Sequence, residues 1–256
     1  MTQDPAAPTA NPTTTAPGIA WIVGVGPPGG LGAALSRRFA AAGLLTVISG
    51  RTADRLQALA HQIETTGGRA LAAAGDVTDP GFIAATLARI RSLGRLEVAV
   101  FNAGGNRWQP TLDMDNAFFE EVWRLCCFAG FVFGRDCARE LLSHGGGTLL
   151  FTGASASLRG RPQFTAFAAA KAGLRMVSQS LARELGPRGL HVAHVIVDGL
   201  IDGERAREVA PTAAAEKGPD GMLQPEAIAE TYYQLYRQPR SAWTQELDLR
   251  PHSESF

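Results

Sequence analysis

Residues 24–32 read Gly-Val-Gly-Pro-Pro-Gly-Gly-Leu-Gly, which sets Gly26, Gly30 and Gly32 between an apolar run and an amphipathic one. Strand, glycine turn and helix in that order make a nucleotide-site candidate. Glycine permits the tight turn and lets backbone approach a pyrophosphate. The anion then lies at the positive end of the helix that Leu31 opens. Lys171 is a second candidate, one of only two lysines among 24 basic residues. His191 and His194 lie three apart in one apolar run. At a strand period of two they face opposite sides, so either is a packing residue or a group aimed into a cleft. Trp108 reads equally as a stacking surface or a core-edge aromatic. Cys126, Cys127 and Cys137 show neither C-x-x-C spacing nor a zinc pattern, so no metal site is predicted. The vicinal pair reads as two small helix residues packed against a neighbour.

The chain around these residues alternates. Apolar runs at 20–25, 45–49, 70–74, 97–101, 147–152, 191–197 and 243–249 read as strands. Helical patterns lie between them near 31–43, 53–65, 80–92, 115–143, 164–186 and 224–237. Short, nearly continuous apolar strands alternating with helices imply buried parallel strands joined by crossovers. The fold class is α/β: a Rossmann-type, doubly wound parallel sheet of about seven strands in three layers. Residues 1–18, rich in Pro, Ala and Thr, read as a disordered tail. Residues 19–256 then form one domain. The stretch 203–223 is small, polar and marked by Pro and Gly, and is predicted to be a long loop or lid over a substrate.

The spacing Gly26-x-x-x-Gly30-x-Gly32 resembles that of the short-chain dehydrogenase/reductase family. Further matches occur in order along the chain. Asp76-Val77 resembles the acidic-apolar pair that touches adenine in that family. Asn102-Ala103-Gly104 resembles the Asn-Asn-Ala-Gly stretch after the fourth strand, with Phe101 in place of the first Asn. Lys171 opens the same helix segment as the family's Tyr-x-x-x-Lys. The match runs from about residue 19 to 250. The resemblance implies a nicotinamide cofactor and hydride transfer. The second strand ends Ser49-Gly50-Arg51-Thr52. An acid here would bind the 2′-hydroxyl of NAD(H) and repel a 2′-phosphate. Gly50 and Arg51 stand there instead, and a guanidinium suits phosphate, so NADP(H) is favoured over NAD(H).

The catalytic half departs from the family. Phe167 stands four residues before Lys171, where the family has its proton-donating Tyr, and no tyrosine precedes Tyr232. Ala154 occupies the place of the family Ser, with Ser155 adjacent. Counting back three from Gly130 puts Cys127 at the place of the family Asn. Lys171 remains, and in the family it also holds the nicotinamide ribose hydroxyls. Asp198-Gly199 stands where the family has Pro-Gly over the nicotinamide, as an acid near that ring or as a cap for the next segment. Three outcomes are open. The reaction needs no tyrosine-like acid, as in hydride transfer to an iminium or an activated alkene. Ser155, Cys127, His194 or an ordered water replaces it. Or the protein binds NADP(H) without turnover, as a sensor or partner subunit. A redox-neutral enzyme with tightly held cofactor is a further alternative.

Composition narrows the class. Apolar residues make up 45% of the chain and charged ones 19%, too apolar for a disordered protein. Formal net charge is zero, which argues against a nucleic-acid partner. No apolar run approaches the roughly 18 residues of a membrane span. Three cysteines without a framework suggest a reducing, cytoplasmic setting. Phe118, Phe119, Val122, Trp123, Phe128, Phe131 and Phe133 exceed what one sheet face should bury. Helices 115–143 and 164–186 are therefore predicted to pair the chain into a homodimer or homotetramer. The partner left over is an unidentified small-molecule substrate.

Overall fold

The computed structural model describes residues 17–254. Seven parallel strands form one sheet in the order β3-β2-β1-β4-β5-β6-β7. They are β1 Gly18–Val23, β2 Leu45–Gly50, β3 Arg69–Ala74, β4 Arg95–Phe101, β5 Gly147–Thr152, β6 Leu190–Val197 and β7 Glu246–Leu249. Both faces of the central strands are covered, which is why they are apolar without interruption. In β1, Ala20 and Ile22 join one core with Leu35, Phe39 and Tyr232. Ile19, Trp21 and Val23 join the other with Phe101, Phe133 and Phe151.

The helices α1 Leu31–Ala41, α2 Ala53–Thr65 and α3 Pro80–Leu93 fall close to their predicted spans. So do α6 Thr165–Leu185 and α9 Pro225–Arg237. Local chemistry sets the starts. Asp79 caps α3 by accepting from Gly81 N, with Pro80 in the first turn. Among the described residues no helix is long and apolar enough to cross a membrane.

Four boundaries differ from expectation. β1 begins at Gly18 because the Pro17 carbonyl accepts from Arg95 N at the start of β4, so the last two residues of the predicted tail are ordered. Residues 1–16 of that tail lie outside the described residues. The stretch 115–143 is three segments: α4 Asn116–Trp123, a π turn Arg124–Phe128 and α5 Ala129–Ser143. The stretch 203–223 carries two short helices, α7 Glu204–Val209 and α8 Pro211–Glu216, and Ile201 bridges Leu223 beneath them. Burial of Ala206 and Leu223 gives that segment enough apolar anchor to fold. The last strand is shorter than 243–249, because Trp243 turns aside to stack on His191.

Candidate active site

The strand order reverses between β1 and β4, and there the loops leaving the two strands diverge. A cavity of about 580 Å³ opens at that point, at the carboxyl ends of β1, β4, β5 and β6. Its first wall is the glycine loop. Gly24 has φ +84°, and a Cβ there would lie 2.4 Å from Ala103 N. A Cβ on Gly32 would lie 2.7 Å from Gly24 O. These two glycines let the loops after β1 and β4 and the start of α1 touch. Gly26 differs: a Cβ there meets nothing within 4 Å, so its bare backbone faces open cavity. Gly30 caps α1 without a side chain and no acid stands in the first turn, leaving the positive helix end to a ligand anion. Gly30, Leu31 and Gly32 all line the cavity. This cradle fits a dinucleotide pyrophosphate.

A hydrogen-bond chain locks the strand ends. Asn102 Nδ2 donates to Gly24 O at 3.2 Å, and Thr152 Oγ1 donates to Asn102 Oδ1 at 3.0 Å. Tyr232 OH lies 2.8 Å from the same hydroxyl. Burial pushes the Tyr232 phenol up, and it reaches Thr152 from the core beneath α9, so it does not supply the missing acid. Ala103 is buried behind Asn102, and Gly104 faces the cavity. Beyond β2, Arg51 and Thr52 are exposed and outside the cavity wall. Arg51 has no ion pair or side-chain hydrogen bond among the described residues. A Cβ on Gly50 would lie 2.3 Å from Val25 O, so an acidic side chain does not fit at that position. Asp76 is exposed, and its Oδ1 accepts from Thr78 N and Thr78 Oγ1, with Val77 buried beside it.

The second half of the cavity holds Lys171, which donates through Nζ to Thr152 O at 2.8 Å. Burial pushes its ammonium pKa down, and Cys126 nearby opposes that shift. One turn earlier on α6, the Phe167 ring lies with its centroid 5.8 Å from Nζ and lines the cavity. Ser155 also lines it, and its hydroxyl has no partner among the described residues. Ala154 precedes it in a 3-10 turn, Ser155–Ser157, held by a bond from Ala154 N to Ser157 Oγ at 3.2 Å.

Cys127 does not line the cavity. It packs with Phe167 and Ala170, and its Sγ lies 2.7 Å from where a Gly173 Cβ would stand. Burial foremost, and Cys126 beside it, push its thiol up. A Cβ on Gly104 would lie 3.3 Å from Lys171 Nζ and 3.6 Å from Cys126 Sγ, so Cys126 is the thiol on the site side. Both cysteines lie in the π turn at 124–128, which widens that turn of the helix.

Neither histidine lines the cavity. His191 stacks on Trp243, with centroids 4.9 Å apart, and Nε2 lies 2.9 Å from Thr244 O. His194 sits on the opposite side, with Nδ1 3.0 Å from Glu246 Oε2 and Nε2 3.4 Å from Ser157 Oγ. Arg175 grips Glu246 with two bonds of 2.7 Å. Burial lowers the His194 pKa to about 4, so the ring is neutral at neutral pH and props the turn that carries Ser155. Asp198 and Gly199 do line the cavity. Asp198 is buried, with Arg159 Nη2 at 3.5 Å and Arg250 Nη2 at 3.8 Å. Trp108 is 60% exposed and away from the cavity, so it is neither the predicted stacking wall nor a core-edge residue. Sequence reasoning missed Arg159 and Arg161, which line the cavity two residues apart after β5. Their signal, Arg-Gly-Arg soon after Ser155, is hidden in an arginine-rich chain.

A family model described as short chain dehydrogenase matches residues 19–213. The short-chain dehydrogenase/reductase eriH of Hericium erinaceus is 28% identical over 225 residues, 84% of this chain and 88% of that protein. A short-chain dehydrogenase from Rhodopseudomonas palustris, known from its crystal structure, is 40% identical with a TM-score of 0.77, over 92% of this chain and 98% of that one. A 7α-hydroxysteroid dehydrogenase solved with NADH and 7-oxo glycochenodeoxycholic acid is 27% identical with a TM-score of 0.83, over 91% and 93%.

Proposed function

The chain belongs to the short-chain dehydrogenase family, and from that premise we propose that it is an NADP(H)-dependent oxidoreductase working without a tyrosine acid. The observation that carries this is an intact dinucleotide cradle beside a cavity wall where Phe167 and Lys171 stand together. The bound nicotinamide would supply a hydride. Gly26, Gly30, Leu31 and Gly32 would hold its pyrophosphate, Arg51 and Thr52 the 2′-phosphate, and Asp76 and Val77 the adenine. Asn102, Ala103 and Gly104 would shape the ribose side, and Lys171 would hold the ribose hydroxyls. Asp198 and Gly199 would close over the nicotinamide ring.

An Arg51 guanidinium without a partner among the described residues favours the phosphorylated cofactor. At position 167 the chain has no proton to give, and Ser155 offers only a hydrogen bond. The substrate is therefore one that accepts hydride without a tyrosine proton, such as an iminium or an activated alkene, or a carbonyl protonated by water. A cavity open to a ligand, with Trp108 outside it, supports turnover over a purely binding role. The exposed Phe119, Trp123 and Phe131 support a homodimer or homotetramer through α4–α5 and α6. The free Cys126, Cys127 and Cys137 fit a reducing cytoplasm. The test is NADPH oxidation, monitored by absorbance, across aldehydes, ketones, imines and activated alkenes. Turnover of one class is expected. Silence on all four while NADPH binds would overturn the oxidoreductase reading in favour of a binding protein.

A further inference from the structure

We infer that the substrate carries a carboxylate, recognised by Arg161 with Arg159 beside it; this deepens, and rests on, the oxidoreductase reading above. The loop after β5 delivers both arginines to the cavity, next to Phe164 and Phe167. Most other charges lining this half are already paired. Lys217 holds Glu254, Arg207 holds Asp202, and Asp198 faces Arg159 and Arg250. Glu204 is exposed in the first turn of α7, where the helix's own positive end faces it. Arg161 has no ion pair or side-chain hydrogen bond among the described residues. Arg159 meets Asp198 only through Nη2, at 3.5 Å from each carboxylate oxygen. Its Nε and Nη1 donors have no partner among the described residues.

Ala154, Ala156, Leu200 and Ile201 join the two phenylalanines as the apolar part of the lining, alongside Ser155 and Asp198. A ligand with an apolar body and one planar anion matches that arrangement. The guanidinium fork fits a carboxylate with two parallel bonds. The 2′-phosphate assigned to Arg51 does not account for these cations. β5 lies three strands from β2, which carries Arg51, or roughly 14 Å at the usual strand spacing. A guanidinium here would also offset negative charge developing on a substrate oxygen where no tyrosine proton is available.

The test titrates the full chain, with and without NADPH, with two pairs of probes: phenylglyoxylate and its amide, and levulinate and its amide. Isothermal titration should show the acid of at least one pair binding about tenfold or more tighter than its amide. Arg161→Gln should erase the difference, and Arg161→Lys should restore part of it. Because Arg161 is exposed, Tm should not move, and NADPH affinity should be unchanged. Acid and amide binding alike, or neither binding, would overturn the inference. So would a loss of NADPH affinity in Arg161→Gln, which would assign the residue to the cofactor. The two readings fail separately. An acid preference on a protein that never oxidises NADPH sinks only the oxidoreductase. NADPH oxidation by neutral substrates with no acid preference sinks only the carboxylate site.

Discussion

At the residue scale, the proposed chemistry turns on Phe167 and Lys171. Phe167→Tyr puts a hydroxyl on a ring already lining the cavity, its centroid 5.8 Å from Nζ. A positioned general acid contributes roughly 10²–10⁴-fold, so ketone reduction should rise by about that factor. No gain would mean that Ala154, at the family's serine position, limits the reaction as well. Arg51 is the proposed discriminator between the two cofactors. Arg51→Ala should weaken NADPH by about tenfold or more and leave NADH unchanged in fluorescence titrations. Equal affinities in wild type and variant would remove the phosphate argument. His194 makes a pH prediction. An unfolded imidazole takes its proton near 6.5, whereas the folded one waits until about 4. Keeping the ring neutral is compatible with folding above about 6.5, and stability falls as pH drops from there to about 4. Calorimetry over that window should give a steeper decline in Tm for wild type than for His194→Asn. Lys171, singled out by its rarity and spacing, lines the cavity. That Cys126 lies on the Lys171 side was not legible in the sequence, because a π turn leaves no mark in residue type.

At the element scale, the loop from β1 into α1 separates two uses of glycine. Gly32→Ala places a methyl 2.7 Å from backbone, and overpacking of this kind costs about 1–3 kcal/mol. Its Tm should fall whether or not cofactor is present. Gly26→Ala puts the same methyl into open cavity. Its Tm without cofactor should match wild type, while NADPH binding is lost or falls at least about tenfold. A fall in the cofactor-free Tm of Gly26→Ala would mean that the glycine serves the fold. Strand and helix types were readable from apolar continuity and period. The two helices in 203–223 were not, since their small polar residues fold only where Ala206 and Leu223 find a surface to bury against.

At the scale of the whole molecule, α4, α5 and α6 leave Phe119, Trp123, Phe131 and Met176 between 37% and 49% exposed. A surface of that kind is expected to be covered by a second copy. Light scattering after size exclusion should show a dimer or tetramer, and Phe131→Glu should shift it towards monomer without loss of helical signal. A monomeric wild type would sink the assembly. The parallel sheet, the glycine cradle and the loss of the tyrosine are all written in the order of residues, because each depends on residue type at short, fixed spacing. Which thiol faces Lys171, and that His194 supports the Ser155 turn, emerged only once the chain was folded. So did the bond from Tyr232 to Thr152 from beneath, and the placing of Arg159 and Arg161 on the cavity wall. Those facts depend on contacts between residues far apart in the chain, set by how strands order in the sheet and how turns aim side chains, and local pattern carries no record of either.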